Sequence, residues 1–144
     1  SLTYTKFQYM AVGLRTAEVY LILAEAEARL GYIKEATEVL NQLRVKRIKG
    51  DEAMLAQPST QKEMVQAVIN ERRKELLFGF HRYWDLKRLN VEADYAKTIT
   101  RTFPIVTATT QHTYTLSPDS RLYVIPFPED VRAKNTNITN NTDK

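Results

Sequence analysis

The sequence predicts a mainly α fold built on helical hairpins, followed by an irregular, partly β C-terminal region. Three observations carry this reading. Apolar residues recur at steps of three and four on both sides of Gly31. Thr60 and Glu63 have the spacing of a capping box at the head of a further apolar-periodic run. After Asn90 the composition turns to Thr, β-branched residues and Pro. The helical part thus covers about residues 15–90 and the irregular part about 91–144, in a chain of 144 residues, the size of one domain.

Residues 1–15 show no clear period and read as an extended entry. From Thr16, a plausible N-cap, Ala17, Tyr20, Leu21, Ala24 and Ala28 trace one helix face, and Gly31 stops the helix. Ile33, Ala36, Leu40 and Leu43 trace a second helix. Lys46, Arg47 and Lys49 near its expected end suit the helix dipole, and Gly50 suits a left-handed cap. The small residues Ala24, Ala28 and Ala36 let the two helices approach closely. "AEAEARLGYIKEATEVLNQLR" therefore looks like a single tetratricopeptide-type unit, with no second copy in the chain. A lone unit cannot bury its own face and must pack on something else.

Gly50–Gln61 reads as a loop. Met64, Val65, Val68, Ile69, Arg72 and Leu76 form one face of a third helix. Phe78-Gly79-Phe80 interrupts it, and Arg82–Leu89 reads as a short fourth helix. Residues 98–116, "TITRTFPIVTATTQHTYTL", read as one or two strands or an irregular hairpin. In "RLYVIPFPED" Pro126 and Pro128 argue for an extended run, with Tyr123, Ile125 and Phe127 on one face as apolar anchors. That run, with Val131, is expected to pack across the helical core. Asn135, Asn137, Asn140 and Asn141 are expected to satisfy local backbone groups in turns.

Composition excludes several chemistries. There is no Cys, so disulfides, thiolate catalysis and Cys-based zinc sites are out. The two His, His81 and His112, lie far apart without ligand spacing. Four scattered Gly build no phosphate-cradling loop, and Ser59, Ser117 and Ser120 sit in no nucleophile elbow. No apolar run approaches the ~20 residues of a membrane span. The net charge of +4 is mild and mixed with acids, unlike the concentrated patch of a nucleic-acid binder. The chain opens on Ser-Leu-Thr-Tyr and reads as a fragment or a processed product.

The densest stretch is "ERRKELLFGFHRYWDLKRLN", Glu71 to Asn90, which contains the only Trp of the chain. Glu71 and Glu75 share a helix face, a spacing open to acid–base work. Arg72, Arg73 and Lys74 interleave with them and favour a structural ion-pair network. "HRYWDLKR" mixes bases and aromatics as stacking platforms do, but Glu71, Glu75 and Asp85 would repel phosphates. The stretch is best read as a helix–turn–helix corner. Arg82 and Asp85 would lock it, while Phe78, Trp84 and Leu86 fill the core. Tyr83 and Trp84 point about 100° apart on a helix, so at least one of them should enter that core.

The chain resembles the C-terminal part of SusD/RagB-type nutrient-binding outer-membrane lipoproteins of Bacteroidetes. Three blocks appear in order across residues 15–141: "RTAEVYLILAEAEARLGYIKEATEVLNQLRVKR", the Glu71–Asn90 stretch, and "YVIPFPEDVRAKNTNITNN". The matching residues are Glu71, Arg72, Glu75, Leu76, Arg82, Asp85, Leu86 and Arg88, then Pro126, Pro128, Glu129, Asn135 and Asn141. With Trp84, they form a structural signature rather than a site. The family's Glu-Gly is Gly79-Phe80 here, and its Asn-Pro is Asn135-Thr136.

The resemblance implies a cell-surface protein at the outer membrane that binds a glycan or other nutrient. It implies no enzyme activity, no cofactor and no metal, and a SusC-like TonB-dependent transporter as partner. It also implies a large N-terminal part, absent here, that would carry the lipid anchor and much of the ligand site. No ligand residue is assigned. The alternative reading is a tetratricopeptide-type peptide-binding adaptor, which would need several stacked units to form a groove.

Overall fold

The computed structural model describes residues 15–77, 79–103 and 110–140. The chain divides into two compact units, Ser1–Gly79 and Phe80–Lys144. The first holds α1 (Thr16–Leu30), α2 (Ile33–Arg44) and α3 (Gln61–Glu75). The second holds α4 (His81–Leu89), β1 (Ile99–Phe103), β2 (His112–Leu116) and α5 (Glu129–Lys134). The architecture is mainly α with a small two-stranded sheet, as expected. The expected extended entry over 1–14, Phe78 and Asn141 lie outside the described residues.

In the first unit, α1 begins one residue earlier than a Thr16 cap requires. Arg15 is the N-cap, with no side-chain cap bond, and Thr16 is already helical. At the other end Gly31 adopts φ +88. Its N–H reaches Ala28 O at 3.1 Å and that of Tyr32 reaches Glu27 O at 3.0 Å, a Schellman closure that a Cβ would strain. Ala24, Ala28 and Ala36 are completely buried, so α1 and α2 pack closely, as small residues allow.

α2 ends at Arg44, short of the Lys49–Gly50 end that charge and Gly placement suggest. The chain turns back through a 3-10 turn at Asp51–Ala53, preceded by Gly50 at φ +83. This reversal lets Arg44 donate from Nε to Ala53 O at 3.1 Å and from Nη2 to Glu52 O at 2.7 Å. Asn41 then grips both backbone groups of Leu55: Leu55 N–H donates to Oδ1 at 2.8 Å and Nδ2 donates to the carbonyl at 3.1 Å.

The capping box of α3 is present. Glu63 N–H donates to Thr60 Oγ1 at 3.2 Å, and Thr60 N–H donates to Glu63 Oε2 at 3.0 Å. Ser59 N–H shares that carboxylate oxygen at 3.1 Å. Met64, Val65, Val68, Ile69 and Leu76 are buried, on the face that periodicity assigns to the core. α3 is what the lone hairpin packs on, touching both α1 and α2. Leu21, Leu40 and Met64 are essentially inaccessible at its centre, each worth about 1.5–3 kcal/mol of burial. Gln61 Nε2 also donates to Arg29 O at 2.6 Å, filling an open carbonyl at the C-terminus of α1.

In the second unit α4 buries Asp85, Leu86 and Leu89 and ends at Asn90. Its N-cap is Phe80, at φ 60 and ψ 0, the one non-glycine residue with positive φ among the described residues. β1 and β2 pair antiparallel, from Ile99 opposite Leu116 to Phe103 opposite His112. The hairpin expected over 98–116 is thus present, with residues 104–109 outside the described set. Thr102 and Thr113 meet across it, Oγ1 to Oγ1 at 3.2 Å.

The last segment departs from an extended crossing with apolar anchors. Tyr123 is buried, but Ile125 is 72% exposed, Phe127 53% and Val131 39%. The run after Pro128 is helical: Pro128 is the N-cap of α5, with Glu129 and Asp130 in the first turn and Arg132 and Lys134 in the last. Proline at a helix start loses no hydrogen bond, and those charges suit the dipole. Of the Asn side chains expected to serve local turns, Asn135 does so, while Asn140 instead bridges to Phe127, 13 residues back. Asn140 takes Phe127 N–H on Oδ1 at 2.8 Å and donates to its carbonyl at 3.2 Å, and Asn137 N–H donates to Asn135 Oδ1 at 3.1 Å.

Candidate functional site

The signature residues fall into two groups, one in each unit. In the first unit, Glu71 is buried on α3 and accepts from Arg44 Nη1 at 2.6 Å, with Lys74 Nζ at 3.4 Å. Glu75 accepts both ends of the Arg47 guanidinium at 2.9 Å, and Arg15 Nη2 lies 3.6 Å away. Arg72 Nη2 reaches back to Glu18 Oε1 on α1 at 3.0 Å. The ion-pair network expected around Glu71 and Glu75 is therefore present, but its main partners come from α1, α2 and the segments beside them, not from Arg73 and Lys74.

This arrangement clamps three helices. A guanidinium fork on a carboxylate fixes distance and orientation together. The Glu75 hydrogen bond, and then its charge, raise the Arg47 pKa above its already high ordinary value. Arg44 and Arg47 sit at the end of α2 and just beyond it, where their spacing of three places both toward α3. That spacing is the available sequence signal for their role.

In the second unit, Arg82, Trp84, Asp85 and Arg88 all lie on α4. Asp85 is buried and accepts from Arg88 Nε at 3.0 Å. Arg82 is half-buried. Trp84 does not fill the core: it is 56% exposed. The inward aromatic contact falls to Tyr83, half-buried, whose hydroxyl donates to the Tyr123 carbonyl and whose ring lies 6.0 Å from that of Tyr123. Trp84 stands edge-on to Tyr83, at 5.1 Å between centroids and 80° between planes. Pro126 and Pro128 are exposed.

The result is an indole held from behind and open in front. Tyr83 is anchored at its hydroxyl and its ring, and it supports Trp84 in an edge-to-face contact favourable beyond simple burial. Phe80, 85% exposed, precedes Trp84 by one turn, and Lys87 follows one turn later. The sequence marks Tyr123 as an apolar anchor, which its burial bears out, but gives no signal that its carbonyl receives the Tyr83 hydroxyl.

A separate cleft of about 490 Å³ lies in the first unit, lined by Thr16, Ala17, Tyr20, Gln42, Leu43, Val45, Lys46 and Arg47. Among the described residues no group of three or more His, Asp or Glu could hold a metal ion. No helix of the described residues is long and apolar enough to cross a membrane.

The fold and these side chains define a mainly α scaffold: a helical hairpin closed by a third helix through arginine–carboxylate forks, with an aromatic surface on its second unit. The chain belongs to the SusD family, whose sequence model matches residues 3–143. It is similar to SusD-like protein P2 of Formosa agariphila, 37% identical over 86 residues, or 56% of this chain and 17% of that protein. It is also similar to SusD-like protein P38 of the same organism, 36% identical over 81 residues, or 53% of this chain and 16% of that protein. The chain thus spans only a small part of the curated relatives it matches. No solved structure matches it.

Proposed function

We propose that this chain is part of a nutrient-binding protein of the outer-membrane surface. That protein would capture a glycan and pass it to a SusC-like TonB-dependent transporter without chemical change. Family membership supports the class. The observation that carries the ligand reading is the exposed Trp84 indole, pre-oriented by Tyr83 and Tyr123. A rigid aromatic face open to water suits the C–H face of a sugar ring, and its fixed orientation lowers the entropy lost on binding. Glu71 and Glu75 are engaged by arginines, which favours a structural over a catalytic role for these carboxylates.

The signature residues act in this reading as architecture. Glu71, Arg72 and Glu75 hold the three-helix unit, Asp85 and Arg88 brace α4, and Pro128 starts α5. The test is to screen the complete polypeptide containing this sequence on an array of neutral and acidic oligosaccharides and to assay its co-purification with the transporter. Glycan binding without product release is expected. Absence of binding to every glycan, or turnover of a bound one, overturns the reading.

A further inference from the structure

We propose that the cleft of the first unit binds a small carboxylate with an apolar body, a ligand distinct from the glycan and independent of that reading. The cleft lies at the end of the α1–α2 hairpin away from Gly31, where the start of α1 meets the end of α2. Its volume of about 490 Å³ falls in the range of small-molecule sites, roughly 300–1,000 Å³. Ala17 and Leu43 line it as buried groups, while Tyr20 and Val45 keep 37% and 45% of their surface open to solvent. These four side chains make an apolar lining that a ring or a short alkyl chain can cover.

Charge narrows the class of apolar molecule. No acidic side chain lines the cleft, whereas Lys46 and Arg47 both do. Glu75 takes the Arg47 guanidinium at 2.9 Å on both oxygens, and it shares that charge with Arg15 at 3.6 Å, the residue just before Thr16. Glu18, in the first turn of α1, is engaged by Arg72 at 3.0 Å. Among the described residues no carboxylate pairs with Lys46, which is exposed. Glu75 alone thus answers Arg15, Lys46 and Arg47 at this end of the hairpin, and the excess is positive. An apolar cleft with an uncompensated ammonium at its mouth suits a monoanion whose head stays near water while its body is covered. A polyphosphate would bring charge against the apolar lining and lose its hydration there.

The experiment uses the complete polypeptide and two probes of one shape, phenylbutyrate and its uncharged amide. Both are titrated by calorimetry and followed on the methyl NMR signals of Ala17, Leu43 and Val45. The inference expects the acid to bind, to move those signals, and to weaken as NaCl rises. The amide should bind about two- to five-fold more weakly, the scale of an ion pair with an exposed cation. Lys46→Gln, at an exposed position, should weaken the acid to the level of the amide and leave the amide unchanged. If neither probe binds, other parts of the polypeptide occupy the cleft or nothing does, and the inference falls while the glycan-binding reading stands. If binding leaves the three methyl signals unmoved, the probe sits elsewhere and the cleft is overturned. If the amide matches the acid and Lys46→Gln changes neither, the carboxylate assignment is overturned.

Discussion

Arg44 and Glu71 face each other across α2 and α3 at 2.6 Å, with only 12% and 9% of their side chains exposed. Arg44 also caps the carbonyls of Glu52 and Ala53, so one guanidinium ties α3 to the turn after α2. Removing either partner deprives a largely buried charge of its shortest ion pair, leaving Glu71 only Lys74 at 3.4 Å and Arg44 only backbone carbonyls. Glu71→Ala or Arg44→Ala should each cost about 3 kcal/mol or more in chemical denaturation. The double change to Met at both positions should cost less than the two single losses summed. Additive losses would show that the two side chains are not coupled.

Phe80→Gly should stabilise the protein. Relief of left-handed strain is worth about 1–2 kcal/mol, and the greater freedom of glycine in the unfolded chain takes back about 0.5–1. The net expectation is a gain of about 0.5–1 kcal/mol, read as a higher midpoint at unchanged slope. A loss would mean that the exposed Phe80 ring makes a stabilising contact.

Thr60→Ala removes the acceptor of the Glu63 N–H and breaks the capping box. The expected cost is about 1 kcal/mol. Glu63→Ala should cost a similar amount, because Glu63 serves the N–H groups of both Ser59 and Thr60. Faster amide exchange at residues 59–63, with the centre of α3 unchanged, is the accompanying signature.

Asp119 titrates low because the Ser117 hydroxyl, and then its own backbone N–H, hydrogen-bond the carboxylate. A depressed folded pKa contributes stability above the unfolded value of about 3.9, which is lost as pH falls through the folded value. The turn at 117–120 should therefore loosen only in acid. Ser117→Ala should move the Asp119 carboxyl titration upward by NMR, and an unmoved midpoint would reject the assignment.

Tyr83→Phe deletes the hydrogen bond to the Tyr123 carbonyl at about 1 kcal/mol. Its more telling effect is on Trp84, whose support loses its anchor. Trp fluorescence anisotropy should fall, reporting a freer indole; unchanged anisotropy would mean that Trp84 is held by other contacts.

How far the sequence could be read depends on the range of each interaction. Gly31, the Thr60–Glu63 box and the buried face of α3 were legible because each is set within a turn or two of chain. The partners of Glu71 and Glu75 were not, since Arg44 and Arg47 become neighbours only after the chain reverses beyond α2. Trp84 and Tyr83 differ by one helix position, and their sequence alone leaves open which one turns inward. Tyr123, 40 positions away from Tyr83, decides it. For α5 the local cues pull in opposite directions: Pro126 and Pro128 discourage a helix through their positions, while Glu129, Asp130, Arg132 and Lys134 have the charge order of one.

The grip of Asn41 on Leu55 has a practical consequence for anyone wishing to label this molecule. Leu55 is held from one side, and Ser59 and Thr60 are held from the other by Glu63. Between those fixed points Ala56 and Gln57 are exposed, and Pro58 is only half-covered. Extra residues inserted there would bulge outward without pulling on either helix, since lengthening a surface loop costs only slowly increasing entropy. An epitope tag or a fluorophore-bearing cysteine could ride in that gap, in a chain with no other thiol to compete for the label.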